Sequence, residues 1–496
     1  MTRALVVARV LALESHLQRL RWAVKASRHS AALLLILSGL LLAAGCRVQS
    51  PPAGDTMSRA KVESQPVAGG PTLLRSGITL RKVLGVGGGN IKLARNPADG
   101  KLYFLHPTNG LFRLDPAPPG KADKVQAKTD IVADGDPAGM AFGPDGTLYV
   151  TVNRKVGAKQ TQAIVRRGKP NASGGFDWQT VSSTEPYQLS GTNFDHLVNG
   201  ITVSPDGKWL YYNSGSRTDH GEVETNGLAF PDLREVPLTS AIFRVPTDAT
   251  DLTLPADEGA LKPYIYADGT RNAFDLKFAP NGDLIAVDNG PDADFPDELN
   301  WIRQGQHYGF PWRFGAQDNP QQFPDYDAAK DRRLSMDFVA VKNGTYRNDP
   351  GFPKPPVSKF TDPILNRGPD AAQYRGEDGG QRDAGVEGKP LNTFTPHRSP
   401  LGLAFISGDK MPADLRGGGS TLAAFLTSWG AAGGSLQDKG QDLLYLRLNK
   451  QGDNYEASTT QIARGFKNPI DTALVDNKLY VLEFGDAGAI WELTFE

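Results

Sequence analysis

The sequence predicts an all-β chain closed into a six-bladed β-propeller, with one long loop insertion and a disordered N-terminal leader and tether. Length, turn chemistry and self-similarity carry that expectation. The chain has 496 residues, 54 basic and 55 acidic. A single compact core rarely exceeds about 250–300 residues, so several domains or a repeat architecture is required. Its 55 glycines and 36 prolines are interspersed with Asp and Asn, which suits turn-rich β structure better than bundled helices. The third observation is a hairpin that recurs in paraphrase along the chain.

The N-terminus comes first. Arg3, Arg9, Arg19, Arg21, Lys25 and Arg28 precede a 14-residue apolar run from Ala31 to Ala44. A membrane-spanning helix needs about 20 residues, whereas a signal core is shorter. The run ends in LLAAGC, and Cys46 is the only cysteine. This resembles a bacterial lipobox, which implies lipidation at Cys46, export, and anchoring on the periplasmic or cell-surface side of a membrane. Residues 1–45 then read as a lipoprotein signal peptide and 46–74, polar and rich in Pro and Gly, as a flexible tether. One cysteine permits no intrachain disulfide, no CxxCH haem site and no thiolate zinc site. The charge balance gives no basic surplus for nucleic acid.

The propeller is expected over 75–496. The hairpin GITVSPDGKWLYYNSG at 200–215 has close relatives at 91–106, 139–153 and 275–290, and looser ones at 401–430 and 471–485. Each joins an alternating apolar strand through a Pro/Asp/Asn/Gly turn to a β-branched or aromatic strand. Starts are 48, 61, 75, 126 and 70 residues apart, and a four-stranded blade needs about 40–50 residues. The first copy begins near the tether and the last ends at the C-terminus, so strands from both ends should complete one blade. The widest gap contains an insertion at about 313–395, expected to form an elaborate excursion over one face.

Propeller sites form where inner-strand ends and inter-blade loops converge near the axis. Three stretches supply candidates there. Asp195-His196 precedes the third hairpin; an imidazole can serve as general base with an acid orienting it, although a turn histidine is the commoner use. Arg271-Asn272 precedes the fourth hairpin, and Gly290-Pro291, Asp292, Asp294, Asp297 and Glu298 follow it. Arg offers a planar fork for carboxylates. The oxygen-rich loop suits calcium and a solvated acidic turn equally. His397-Arg398 precedes the fifth hairpin and Trp429 follows it, where an aromatic ring can stack on a flat ligand or pack between blades.

Together these stretches resemble the PQQ-dependent soluble glucose dehydrogenase and L-sorbosone dehydrogenase (aldose sugar dehydrogenase) family. RNAFDLKFAPNGDLIAVDNGPDADFPDELNWIRQGQHYGFPW at 271–312 carries the most specific part of that resemblance. It implies an exported quinoprotein oxidising an aldose, alcohol or aldehyde, with His196 as the base beside Asp195. PQQ contacts would come from Arg271, Asn272, His397, Arg398 and Trp429. Calcium would be held partly by the carbonyls of Gly290 and Pro291. Asp297, Glu298 and Tyr308 fall at positions that serve a second calcium in some members. Electrons would leave to an external acceptor. The chain departs from the family pattern at Phe274, where the family has glutamine. It departs again at FKNPIDTAL (466–474), where two arginines are replaced by Lys467 alone. Arg367, Arg375 or Arg398 would have to supply the missing charge. The alternatives are a non-catalytic propeller binding a glycan or protein, and a metal-dependent lactonase, for which no axial carboxylate/Asn cluster can be assembled.

Overall fold

The computed structural model describes residues 69–431 and 433–496; the lipobox, Cys46 and most of the tether lie outside them. Six antiparallel sheets stand in sequence order around a ring. Blade 1 runs Lys92–Arg95, Leu102–His106, Gly110–Asp115, Lys121–Gln126; blade 2, Asp136–Phe142, Leu148–Val156, Gln160–Pro170, Phe176–Thr184. Blade 3 is Ile201–Val203, Trp209–Ser214, Ala241–Pro246, Ile265–Asp268; blade 4 has only Ala273–Phe278, Leu284–Asp288 and Glu298–Ile302. Blade 5 is Pro400–Phe405, Thr421–Ser428, Asp442–Gln451, Asn454–Arg464. Blade 6 takes Pro469–Val475, Lys478–Glu483 and Ala489–Phe495 from the C-terminus and Ile78–Gly85 from the N-terminal side, with Ile78 opposite Phe495. The ring therefore closes with strands from both ends, as the repeat spacing predicts.

Closure is visible in the packing. Innermost strands touch in cyclic order, each meeting the next and the sixth meeting the first. One apolar cluster fills each interface between neighbouring blades. The period-2 pattern causes this directly, because each blade sends alternate residues into the interfaces on its two faces. Near the axis the approach is closest. A Cβ added to Gly139 would lie 2.0 Å from the Asn199 carbonyl oxygen, and one added to Gly402 would lie 2.7 Å from the Asp471 Cα.

The insertion does not add a fourth strand to blade 4. Leu365–Pro369 joins the outer strand of blade 5 in parallel. Two short ribbons and the one-turn helix Val339–Lys342 cover the end of the ring near residue 292, where Ala340 donates its N–H to Asp292 Oδ2 at 3.0 Å.

Candidate active site

In an antiparallel blade the first strand begins, and the second ends, at the same end of the ring. Residues just before the inner strands and just after the second strands therefore share one mouth. His196, Arg271 and Gly290 are joined there by a short chain of bonds. The His196 N–H donates to the Ser216 carbonyl at 2.8 Å, and the Ser216 N–H donates to the Arg271 carbonyl at 2.7 Å. Arg271 Nη1 donates to the carbonyl of Asn289, next to Gly290, at 3.2 Å. His196 Nδ1 lies 3.1 Å from Ser216 Oγ, and among the described residues Nε2 has no protein partner. Burial, and then the Arg271 charge, lower the His196 pKa to about 3, so the ring is neutral at pH 7.

Arg271 is organised by Asp219, which the sequence reading did not single out. Nε donates to the Asp219 carbonyl and Nη2 to its Oδ1, each at 2.7 Å. Asp219 is fully buried. It also accepts from the Asp292 N–H at 3.0 Å and from Tyr346 Oη at 3.2 Å, and it pairs with His220 Nδ1 at 2.8 Å. Burial alone would raise its pKa, but Arg271 and then His220 hold it well below the usual carboxylate range. Three of the five guanidinium N–H groups of Arg271 are engaged, leaving one on each terminal nitrogen. Beside it an amide ladder crosses the mouth. Asn199 Nδ2 donates to Asn272 Oδ1 (3.2 Å), Asn272 Nδ2 to Asn289 Oδ1 (3.1 Å), and Asn289 Nδ2 to the Pro400 carbonyl (3.1 Å).

The side toward blades 5 and 6 carries aromatic rings. Trp429 and Phe484 have ring centroids 4.8 Å apart, and Phe274 joins the same cluster. Lys92, buried, lies 4.4 Å from the Phe274 ring centroid and 3.8 Å from Asp275.

Several candidates have other work. Asp195 does not pair with His196; its carboxylate accepts from Ser190 N–H, Ser190 Oγ and Gly191 N–H at 2.8–2.9 Å, closing the preceding turn. Arg398 is 1% exposed and lies inside blade 5, with Nη2 2.6 Å from both oxygens of Asp442, so the blade core has consumed its charge. Arg375 and His397 share Asp294, at 2.8 and 3.0 Å. Arg367 pairs with Glu456 on the outer strand of blade 5, far out along that sheet. The Trp429 ring packs on Phe484 in the cluster between blades 6 and 1.

The acidic loop divides likewise. Asp297 accepts from the Gly290 N–H (2.7 Å) and the Ser399 N–H (2.9 Å), tying the loop to blade 5. The Tyr308 hydroxyl donates to the Trp301 carbonyl and accepts from the Arg303 N–H. The Pro291 carbonyl accepts from Ala293 N–H at 2.8 Å. Glu298 and Asp288 instead line a small, partly open cavity of about 10 Å³ with Asn289, Gly290, Arg271 and Arg313, the size one water fills. Burial, then mutual repulsion, pushes Glu298 up to about 8, and burial pushes Asp288 to about 6. Among the described residues no cluster of three or more His, Cys, Asp or Glu forms a ready metal cage.

Comparison with known proteins bears on the family and the fold. The Glucose / Sorbosone dehydrogenase family model matches residues 130–336, which span blades 2 to 4 and the start of the insertion. Quinoprotein glucose dehydrogenase B of Acinetobacter calcoaceticus is 27% identical over 270 residues, 48% of this chain and 53% of that protein; the match thus spans about half the length of that relative. Among solved structures, the apo-form soluble aldose sugar dehydrogenase of Escherichia coli superposes with a TM-score of 0.54 at 15% identity, covering 84% of this chain and all of that one (100%). The holo PQQ domain of pyranose dehydrogenase from Coprinopsis cinerea gives 0.51 at 13% identity, covering 85% and 96%. At those identities the superpositions establish the fold. The resemblance read from the sequence is borne out: residues 130–336 match the Glucose / Sorbosone dehydrogenase family model, within a six-bladed β-propeller.

Proposed function

We propose that the protein is a quinoprotein that oxidises an aldose or related alcohol at the mouth of the ring. The observation that carries the reading is the neutral His196 ring, with Nε2 unpartnered, beside a buried guanidinium that retains free N–H groups. The site fits PQQ in two respects. The Trp429–Phe484–Phe274 face suits a flat ring system, and Arg271 can still donate to a carboxylate. Bound PQQ supplies a two-electron acceptor for the hydride of the substrate carbon. His196 Nε2 takes the proton of the hydroxyl on that carbon. Arg271, held by Asp219, and the Asn199–Asn272–Asn289 ladder would bind and orient the acceptor and substrate.

Calcium has two supports. Asp297 holds the Gly290 N–H, and the Gly290 and Pro291 carbonyls of the same loop would serve a cation shared with the cofactor. A second, structural ion would sit against Asp288 and Glu298, in a cavity that Arg271 and Arg313 also line. There Glu298 keeps its proposed role, while Asp297 and Tyr308 act through the loop they hold. An external acceptor would reoxidise the cofactor. Export and a lipid anchor at Cys46 complete the proposal, supported by the LLAAGC pattern alone; fatty-acid labelling of the native chain, lost in Cys46→Ala, tests it.

The central test is reconstitution. Purified protein with PQQ and calcium should reduce a dye with aldoses and retain quinone absorbance after dialysis. No retained quinone and no cofactor-dependent reduction would favour a non-catalytic glycan-binding propeller.

A further inference from the structure

His196 Nδ1 lies 3.1 Å from Ser216 Oγ, and on that contact alone either atom could donate. The next bond removes the ambiguity. Ser216 Oγ lies 2.7 Å from the Thr218 carbonyl oxygen, and a carbonyl only accepts. A serine hydroxyl has one hydrogen. Directed at Thr218, it leaves Oγ facing the imidazole as an acceptor, so the proton between the two side chains sits on Nδ1. We infer that Ser216 is a positioning residue that holds His196 as the Nδ1–H tautomer and so keeps Nε2 as the lone-pair nitrogen. This rests on the reading of His196 as the base.

The surroundings make the pairing obligatory. Ser216 is 1% exposed, and its backbone is fixed on both sides by the bonds to His196 N and from its own N–H to the Arg271 carbonyl. A Cβ on Gly215 would lie 2.4 Å from the His196 Cβ, so the close approach depends on glycine. The adjacent carboxylate of Asp195 is engaged by Ser190 and Gly191. Arg271 and Asp219 are the charged groups acting on the ring, and neither hydrogen-bonds to it.

A serine partner orients the base without lending it charge. When the substrate hydroxyl proton moves to Nε2, the ring becomes imidazolium and keeps its Nδ1–H···Oγ bond. The hydride leaves the same carbon for the quinone, so the substrate loses two electrons and two hydrogens in total. A carboxylate in the place of Ser216 would instead stabilise the imidazolium as well as orient it.

The test uses the apo-protein labelled with ¹⁵N-histidine, with His196→Ala assigning the signal. At pH 7 the expected spectrum shows a protonated Nδ1 and an unprotonated Nε2. Ser216→Ala should give a mixture of tautomers, and Ser216→Thr should return the wild-type pattern. An Nε2–H tautomer in the wild type, or a pattern unmoved by Ser216→Ala, would overturn the inference. On reconstituted protein Ser216→Ala should lower kcat about tenfold with KM unchanged, at the low end of what correct base placement contributes; a change in KM alone would also overturn it. The two arms separate the claims. If wild-type protein shows no PQQ-dependent turnover, the sugar-oxidation reading falls and the spectra still decide Ser216. If turnover is normal and the tautomer wrong, only Ser216 falls.

Discussion

The mouth of the ring has two unlike halves. On blades 3 and 4 every functional side chain is wired to another: His196 to Ser216, Arg271 to Asp219, Asn199 to Asn272 to Asn289. On blades 5 and 6 stand the aromatic rings Trp429 and Phe484, joined by Phe274 of blade 4, and Arg398 is turned into its blade core. The wired half lies within the segment matched by the family model, 130–336, and Trp429 and Lys467 lie outside it. On the proposed function, proton transfer falls to the wired half alone, preorganised by buried hydrogen bonds, whereas the cofactor would be shared, its carboxylates toward Arg271 and its flat face toward the aromatic side.

The largest expected effect breaks the wired half at its hub. Asp219→Asn leaves Arg271 buried beside a neutral partner, and removing one member of a buried pair costs roughly 3–5 kcal/mol. Melting temperature and turnover should both fall. The pH dependence follows in sign. The folded pKa of Asp219 is depressed by Arg271 and His220, against the opposing pull of burial. Its stabilisation is therefore complete above the unfolded value, about 3.9, and is lost progressively as pH falls below that value toward the depressed folded one. Wild-type melting temperature should decline more steeply below about pH 4 than that of Asp219→Asn. Parallel curves would remove Asp219 from the account.

His196→Ala should separate chemistry from stability. Turnover should fall about 10²–10⁴-fold, the range general bases contribute, with melting temperature and retained quinone unchanged. A loss of quinone in this variant would mean that the imidazole binds cofactor and that the two halves are not independent.

Trp429→Ala probes the other half. Removing its ring takes away a face packed on Phe484 at 4.8 Å, and aromatic stacking adds about 0.5–1.5 kcal/mol beyond area burial. Quinone retention should weaken about tenfold, as RT ln 10 is about 1.4 kcal/mol, while the tautomer and pH behaviour of His196 stay as in wild type. Unaltered retention would assign Trp429 to blade packing.

The ring was legible because its cause is local. Alternation and Asp-Gly or Asn-Gly turns mark each hairpin, and a hairpin states which strand ends share a mouth. That logic placed His196, Arg271, Gly290 and Trp429 together. It did not decide which way an adjacent polar side chain turns. Asp195, next to His196, faces back to its own turn. Arg398, next to His397, drops into blade 5 because Asp442 waits there on a strand more than 40 residues later. Asp219 and Ser216 were missed because SGSRTDHGEVET, 214–225, has no periodicity to align. Its one signal was a second Asp-His pair, at 219–220. The insertion was legible in length and composition but not in contacts, since Tyr346 and Ala340 reach the mouth through tertiary packing alone.

The smallest expected effect sharpens the comparison most. Lys467 stands just before the inner strand of blade 6, where the resemblance would place arginines. Its N–H is held by Glu483 at 2.8 Å while its side chain is exposed, and among the described residues Nζ has no protein partner. An exposed ammonium contributes roughly 0–1 kcal/mol and is screened within about 10 Å at 0.1 M salt. Lys467→Gln should therefore weaken quinone retention about two- to threefold at low salt and not at all at high salt. A tenfold loss that survives high salt would show a cofactor carboxylate buried against Lys467. The apolar half would then hold its ligand by charge, as the wired half does, and the division between them would be one of degree.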